Sequence, residues 1–239
     1  MAGTIFWAGD STVKQNNITS FPQTGIGQGF ELYLKKGIIL DNRAENGRST
    51  KSYINEGRLD EIEALIGKGD FLFIQFGHND EKPDEERHTE PYSTYQENLV
   101  KFVNAARDNG AYPVFITSLY RRLFESEHKL IDNCHLDYPD AMLQLGETLN
   151  VPVIDLCTLS KNVLEKIGDE NSKHLFMHVP AGVYANFPEG KTDNSHLQYE
   201  GAVLFAGLIA EGLRKLGGIY ADLLLPLDGE REDARLLID

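Results

Sequence analysis

The chain has 239 residues, of which 41% are hydrophobic and 25% are charged, and its formal net charge is −14. This size and composition are ordinary for one globular domain with its own buried core. The strong negative charge argues against general binding to nucleic acid or to an anionic membrane surface, because phosphate groups would be repelled.

The two cysteines, Cys134 and Cys157, form neither a disulfide framework nor a metal-binding spacing. No basic leader precedes the first apolar run, and no stretch of about 18 apolar residues occurs. We therefore expect free thiols, no membrane association and a cytoplasmic protein, or a secreted one if a leader was removed. The oligomeric state is left open.

Strands and helices alternate along the chain. Short apolar runs predict strands at Thr4–Ala8, Ile38–Leu40, Phe71–Phe76, Pro113–Leu119 and Val151–Leu156. Helical spacing of apolar residues predicts helices at Gly25–Lys36, Arg58–Ile66, Tyr92–Asn109, Met142–Leu149 and Gln198–Leu216. This alternation predicts an α/β fold with a five-stranded parallel sheet and helices on both faces. We expect a single domain over residues 1–239, with 219–239 as a C-terminal extension.

Small polar residues follow three of these strands. Gly9-Asp10-Ser11-Thr12 comes directly after the first strand, Gly47 follows the second and Asn79 follows the third. The carboxyl ends of parallel strands lie at one edge of the sheet, so these residues can face one crevice. Ser11 could be a nucleophile, and the Ser11 amide, the Gly47 amide and the Asn79 side chain could stabilise an oxyanion. Helix capping by the serine turn is the competing interpretation.

Asp193-Asn194-Ser195-His196 stands just before the last predicted helix. We interpret it as a loop in which the carboxylate of Asp193 orients the imidazole of His196, the pairing that a histidine base requires. His196 could then accept the proton of Ser11.

Several other polar residues have simpler interpretations. Asp10 is expected to anchor the serine turn, and His78 to be structural. His174 and His178 are four residues apart, the spacing of two metal ligands on a helix, but Val179-Pro180 ends any helix there. We therefore expect no metal ion and no cofactor.

Four blocks resemble those of the SGNH (GDSL) hydrolases: Gly9-Asp10-Ser11, Gly47, Gly77-His78-Asn79-Asp80 and Asp193-Asn194-Ser195-His196. The resemblance implies a flavodoxin-like three-layer α/β/α sandwich. It also implies that Ser11 is the nucleophile, His196 the base and Asp193 its orienting carboxylate, with Gly47 and Asn79 as oxyanion donors.

More narrowly, the segments Thr117–Arg122 and Asn186–Lys191 resemble the rhamnogalacturonan acetylesterase branch of that family. This resemblance implies a serine esterase that removes acetyl groups from carbohydrate, above all from acetylated rhamnogalacturonan oligosaccharides. Arg48 and Arg122 are the leading candidates for a galacturonate carboxylate, within a basic rim around Ser11, because arginine binds carboxylates in bidentate fashion. Tyr184 and Phe187 could line a sugar site.

Two alternatives stay open. An SGNH esterase or lipase could act on other short acyl esters, such as acetyl-xylan, lysophospholipid or a thioester. A flavodoxin-like module could instead bind a phosphate with its serine loop and catalyse nothing, although this would leave Asn79, Asp193 and His196 without a task.

Overall fold

A computed structural model describes residues 3–226. Its contacts group the chain into two compact units, each built from three segments. The first, here the sheet unit, comprises residues 3–14, 37–118 and 135–155; the second, here the hairpin unit, comprises residues 15–36, 119–134 and 156–226.

The strands of the described chain are β1 (Thr4–Gly9), β2 (Ile39–Asn42), β3 (Phe71–Gln75), β4 (Tyr112–Ile116), β5 (Phe124–Ser126), β6 (Lys129–Leu130), β7 (Val153–Ile154), β8 (Phe176–Val179) and β9 (Lys191–Leu197). The α-helices are α1 (Ile26–Phe30), α2 (Thr50–Asn55), α3 (Arg58–Glu63), α4 (Gln96–Asp108), α5 (Tyr138–Leu149), α6 (Leu156–Ile167), α7 (Asp169–Ser172), α8 (Tyr199–Leu216) and α9 (Gly218–Ala221). Short 3-10 helices cover Ile18–Ser20, Glu31–Tyr33 and Lys173–Leu175, and a π-helical turn covers Pro91–Tyr95.

The sheet unit holds a five-stranded parallel sheet in the order β2-β1-β3-β4-β7. The predicted α/β fold with five parallel strands is confirmed. The strand order reverses at the β1–β3 neighbour pair, and open α/β sheets bind ligands at the carboxyl ends of such a switch point. Ser11 follows β1, and Asn79 follows β3, so both lie at that point.

One face of the sheet is covered within the same unit by α4 and its neighbours. Alternate strand residues such as Leu72 and Ile74 are buried against Leu99, Phe102 and Val103 of α4, in a cluster with no exposed member. A parallel strand whose side chains are covered by helices has a continuous apolar sequence, which explains the sequence of β3.

The hairpin unit contains α1, α6, α8 and two antiparallel hairpins, β5–β6 and β8–β9. The prediction of one helix over Gly25–Lys36 was wrong. The α-helix ends at Phe30, a 3-10 turn follows, and the chain becomes extended at Leu34, which forms a bridge to Leu224. The helix α6 was not predicted, because Leu156 was assigned to a strand that ends at Ile154.

The first part of the C-terminal extension packs within the hairpin unit. Leu223 and Leu224 are buried, and the Leu225 amide donates to the carbonyl oxygen of Tyr33 at 2.8 Å. The acidic stretch over 228–233 lies outside the described residues. Within residues 3–226, no helix combines the length and the apolar character needed to cross a bilayer.

Candidate active site

The serine turn is shaped by the residue before it. The buried carboxylate of Asp10 accepts hydrogen bonds from the amide and the hydroxyl of Thr12, both at 2.8 Å. The carbonyl oxygen of Asp10 accepts from the amides of Val13 and Lys14. Asp10 therefore anchors the turn, as the sequence predicts, and leaves Ser11 half-buried at the end of β1.

The loop that carries Gly47 is fastened to the serine turn. The Glu45 amide donates to the carbonyl oxygen of Gly9 at 3.0 Å, and Asn42 Nδ2 donates to that of Val13 at 2.8 Å. Gly47 has a φ of +73°, a backbone conformation that favours glycine. Among residues 3–226, its amide has no hydrogen-bond acceptor, so the donor is available to a ligand.

The turn after β3 is held by contacts that only glycine permits. Gly77 has a φ of +139°, and a Cβ there would lie 2.3 Å from the Ser118 hydroxyl. That hydroxyl and the phenol of Tyr95 both donate to the carbonyl oxygen of Phe76, at 3.1 and 3.0 Å. The backbone that presents Asn79 is therefore fixed on both sides.

Asp80 joins this turn to the Gly47 loop. Its buried carboxylate accepts from the amide of Thr50, at 3.0 Å, and from the hydroxyls of Thr50 and Thr89. Thr50 begins α2, immediately after the Gly47 loop. Burial, opposed by these hydrogen bonds, raises the pKa of Asp80 to about 7.

The side chain of Asn79 is buried and bonded at both ends. Its Nδ2 donates to the carbonyl oxygen of Arg48 at 3.2 Å, and its Oδ1 accepts from Arg87 Nη1 at 3.3 Å. An amide nitrogen carries two hydrogens, so one remains for a ligand. The sheet unit thus brings Ser11, the Gly47 loop and Asn79 together at one sheet edge.

His78 lies beside this turn and is buried. Its ring packs edge-on against that of His135, with centroids 4.4 Å apart, and His135 Nδ1 lies 3.1 Å from Glu81 Oε2. These contacts are consistent with the structural role predicted for His78.

Asp193 and His196 lie in a bulge of the β8–β9 hairpin. Asp193 pairs with Met177, but the next pair joins Leu197 to Phe176, so residues 194–196 are inserted in β9 between two consecutive ladder pairs. The prediction of a loop entering the last helix was wrong, because this segment belongs to β9. Bulges re-aim side chains and are common next to active sites.

The carboxylate of Asp193 organises the bulge. Its Oδ1 accepts from the amides of Ser195 and His196, at 2.8 and 2.9 Å, and its Oδ2 lies 2.7 Å from His196 Nδ1. A carboxylate only accepts, so Nδ1 carries the hydrogen and Nε2 is left as the basic nitrogen. The predicted pairing of Asp193 with His196 is therefore present.

Lys191 shares the same carboxylate, with its Nζ 3.1 Å from Asp193 Oδ2. Burial alone would raise the pKa of Asp193, but hydrogen bonds from the His196 ring and from the amides of His196 and Ser195 outweigh it and lower the pKa. Asp193 is therefore ionised throughout the neutral pH range.

Arg122 is part of the support for this bulge. Its side chain is 4% exposed and donates to Asn194 Oδ1 and to Ser172 Oγ, both at 3.0 Å, and forms an ion pair with Asp169. Its amide donates to the carbonyl oxygen of Asn194 at 2.9 Å. Asn194 Oδ1 also lies 2.7 Å from His178 Nε2. This burial contradicts the prediction that Arg122 contacts a substrate carboxylate.

Four other cations of the predicted basic rim are paired with carboxylates. Arg48 forms a bidentate pair with Glu56, at 2.8 and 3.0 Å. The remaining pairs are Lys14 with Glu45, Arg43 with Asp41, and Arg87 with Asp84. The charge of each of these four cations is therefore balanced by a nearby carboxylate.

Tyr184 and Phe187 are half-buried and belong, with the exposed Phe21, to an aromatic cluster of the hairpin unit. They form a bridge to each other, and the Tyr184 ring lies edge-on to Phe21, with centroids 5.6 Å apart. Asn186 Nδ2 donates to the carbonyl oxygens of Ile18 and Phe21, at 2.8 and 2.9 Å. We call Phe21, Tyr184 and Phe187 the aromatic platform. Lys191 Nζ lies 5.4 Å from the Phe187 ring centroid and also contacts Asp193.

His174 and His178 do not share a helix face, because His174 lies in a 3-10 turn and His178 in β8. In the described part of the chain, no group of three or more His, Cys, Asp or Glu side chains has the geometry to hold a metal ion.

Sequence reasoning missed Asp80 and Phe21 as residues of the site, and it named Arg87 only as a cation of the basic rim. Asp80 ends the Gly77–Asp80 block, so its position beside Asn79 was a usable signal. Arg87 and Phe21 stand in polar loops, and only the folded chain brings them to Asn79 and Tyr184.

Comparison with known sequences gives consistent results. Residues 5–209 match the family model of the GDSL-like lipases and acylhydrolases. The chain is 44% identical to rhamnogalacturonan acetylesterase RhgT of Bacillus subtilis, over 95% of this chain and 96% of that protein. It is 39% identical to the probable rhamnogalacturonan acetylesterase YesY of the same organism, over 91% and 95% of the two chains.

Solved structures resemble the fold. The protein YxiM of Bacillus subtilis superimposes with a TM-score of 0.77 at 28% identity, over 91% of this chain and 57% of that one. A variant of Axe2, an acetyl-xylooligosaccharide esterase from Geobacillus, superimposes with a TM-score of 0.62 at 15% identity, over 88% and 93%. With its parallel sheet and its match over residues 5–209, this chain belongs to the GDSL-like lipase/acylhydrolase (SGNH hydrolase) family and is a carboxylic ester hydrolase.

Proposed function

We propose that this esterase removes acetyl groups from carbohydrate, with Ser11 as nucleophile, His196 as base and Asp193 as the carboxylate that orients it. The observation that carries the proposal is the 2.7 Å hydrogen bond between His196 Nδ1 and Asp193. It fixes the tautomer in which Nε2 accepts a proton and stabilises the imidazolium that forms.

In the proposed reaction, Ser11 Oγ attacks the acetyl carbonyl carbon while His196 Nε2 takes the hydroxyl proton. The tetrahedral intermediate collapses when His196 returns that proton to the sugar oxygen, and the deacetylated sugar leaves. Water, activated by His196, then attacks the acetyl-serine and releases acetate. The reaction requires no cofactor.

The oxyanion of each tetrahedral intermediate is assigned to the Ser11 amide, the Gly47 amide and Asn79 Nδ2. Two features support this assignment: the Gly47 amide and one Asn79 N–H have no acceptor among residues 3–226. Both donors belong to turns that are fixed by buried hydrogen bonds through Asp80. Donors held in place before the reaction stabilise a developing charge without reorganisation.

Acetylated rhamnogalacturonan oligosaccharides are the proposed substrates. The proposal is supported by the names of two relatives that align over more than nine-tenths of the chain. Tyr184 and Phe187, with the exposed Phe21, are proposed to contact a sugar ring, because aromatic side chains that reach the surface can bury the apolar C–H face of a pyranose. Lys191 links Phe187 to Asp193, so the platform lies next to the catalytic carboxylate.

A second candidate is a neutral acetylated oligosaccharide such as acetyl-xylan. It is favoured by the pairing of the cations, because Arg122 is buried and the charge of Arg48 is already paired with Glu56. Arg48 is still proposed to contact the substrate, whereas the buried Arg122 is not.

Acetate release from acetylated rhamnogalacturonan and acetyl-xylan oligosaccharides tests both candidates. We expect release that Ser11→Ala abolishes while the variant keeps the wild-type melting temperature, and labelling of Ser11 by an organophosphonate. Activity in Ser11→Ala would refute the serine mechanism. Equal kcat/KM on the two substrates, unchanged in Arg48→Ala, would refute the pectic assignment and leave the acetylesterase assignment in place.

A further inference from the structure

The carboxamide of Asn79 can serve as an oxyanion donor in only one of its two orientations. Its oxygen and nitrogen ends have nearly the same shape, yet only the nitrogen end can donate to an oxyanion. A flipped amide would point its oxygen at the developing negative charge. The ability of Asn79 to stabilise an oxyanion therefore depends on the group that binds its Oδ1 atom.

The oxygen end is held by Arg87. Nη1 of the guanidinium donates to Asn79 Oδ1 at 3.3 Å. The same guanidinium is anchored on Asp84, whose Oδ2 accepts from Nη2 at 2.6 Å and whose Oδ1 accepts from Nε at 3.0 Å. A bidentate carboxylate pair fixes the plane of the guanidinium, so the direction of Nη1 is fixed as well.

A cation at Oδ1 has two effects on Asn79. It excludes the flipped amide, because the NH₂ end would then face a donor. It also draws electron density toward Oδ1, which strengthens the N–H groups as donors. The bond from Asn79 Nδ2 to the Arg48 carbonyl, at 3.2 Å, is made in the same orientation.

We propose that Arg87 is a positioning residue for catalysis, which fixes and polarises the Asn79 amide toward the oxyanion. The inference rests on the proposed role of Asn79. Arg87 could alternatively do no more than staple the polar loop 81–90 to the rest of the sheet unit. Lys51 provides the control, because its Nζ donates to the Glu85 carbonyl of the same loop and it has no contact with Asn79.

The experiment measures kcat and KM for an aryl acetate in Arg87→Gln, Arg87→Lys, Lys51→Gln, Asn79→Ala and the Arg87→Gln/Asn79→Ala double variant. Loss of an oxyanion donor costs about 10²–10³ in turnover, and loss of its orienting partner should cost less. We expect a kcat about tenfold lower in Arg87→Gln with an unchanged KM, partial recovery in Arg87→Lys, and wild-type kinetics in Lys51→Gln. In the Asn79→Ala background, Arg87→Gln should lower kcat by less than about twofold.

Three results would overturn the inference for Arg87 alone: a wild-type kcat in Arg87→Gln, an equal loss in Lys51→Gln, or a full additional loss in the double variant. A wild-type kcat in Asn79→Ala is a different result. It would remove the proposed oxyanion role of Asn79, and the inference with it.

Discussion

The two parts of the proposed catalytic machinery are built by different means. The oxyanion donors of the sheet unit stand on strand-end turns that are held by buried side chains, among them Asp80 and Asn79. The base and its carboxylate stand in a bulge at the surface of the hairpin unit, where Asp193 and His196 are only half-buried. The first arrangement suits donors that must not move during the reaction. The second suits a base that must exchange a proton and receive a bulky substrate.

Apart from loss of the nucleophile itself, the hairpin region should show the largest loss of turnover from one substitution. Asp193→Asn keeps the shape of the side chain but allows His196 to adopt the wrong tautomer, a change that costs about 10⁴ in turnover in a related triad. We expect a loss of that order in aryl-acetate hydrolysis. The double variant with His196→Ala should be no slower than His196→Ala alone, because the two residues act together. A kcat within tenfold of wild type in Asp193→Asn would show that another group orients the base.

Arg122 tests the role of the bulge itself, because it is proposed to support the bulge without contacting the reacting atoms. Arg122→Ala removes the donor of the Asp169 carboxylate and one of the two contacts of Asn194 Oδ1, which keeps His178 Nε2. Breaking a buried ion pair costs about 3–5 kcal/mol, and the partial exposure of Asp169 places the expected loss near the lower end. Urea unfolding measures that loss, and kcat for the aryl acetate should fall with it. A variant with normal stability and normal aryl-acetate turnover, but a raised KM for acidic oligosaccharides, would restore the substrate-binding role predicted from sequence.

A pair of neighbouring arginines shows what could not be predicted from the sequence. Arg121 and Arg122 are adjacent and chemically identical, and only the folded chain commits Arg122 to Asp169. The strand ends were predictable, because a buried parallel strand is a local apolar run and its carboxyl end is fixed by topology. The β8–β9 hairpin was not. Its second strand is polar, and its register is set by pairing with residues twelve or more positions earlier along the chain.

In the sheet region, the expected effect is a pH dependence of the free energy of unfolding, which arises from Asp80. The pKa of Asp80 is raised to about 7 in the folded chain, against an ordinary value of about 3.9 when unfolded. Between these values the folded protein binds the extra proton, so Asp80 makes the protein less stable as the pH rises from about 4 to about 7. The expected contribution is about 2 kcal/mol between pH 5 and pH 7.

Asp80→Asn should remove that contribution from the pH dependence of unfolding, measured by urea titration at both pH values. Asp108→Asn, an exposed carboxylate at the end of α4, is the matched control and should leave the dependence unchanged. If the wild type and Asp80→Asn have the same difference in stability between pH 5 and pH 7, Asp80 is ionised in the folded chain at both values.

The smallest expected effect is a change in KM without a change in kcat. It comes from variants of the aromatic platform, which should alter sugar binding but not the chemical step. Phe21 is 53% exposed, and its ring meets Tyr184 edge-on, so the pair offers an apolar surface next to polar loops. Stacking of a ring on such a surface is worth on the order of 1 kcal/mol. Phe21→Ala and Tyr184→Ala should therefore raise KM for acetylated oligosaccharides about fivefold and leave aryl-acetate kinetics unchanged, because the aryl ester is too small to reach beyond the acetyl site. Tyr92→Ala, a tyrosine of similar exposure in the sheet unit, is the control. Unchanged KM values in both platform variants would assign sugar recognition to residues outside the platform, whereas a loss on the aryl ester as well would mean that the two side chains support the bulge that carries His196.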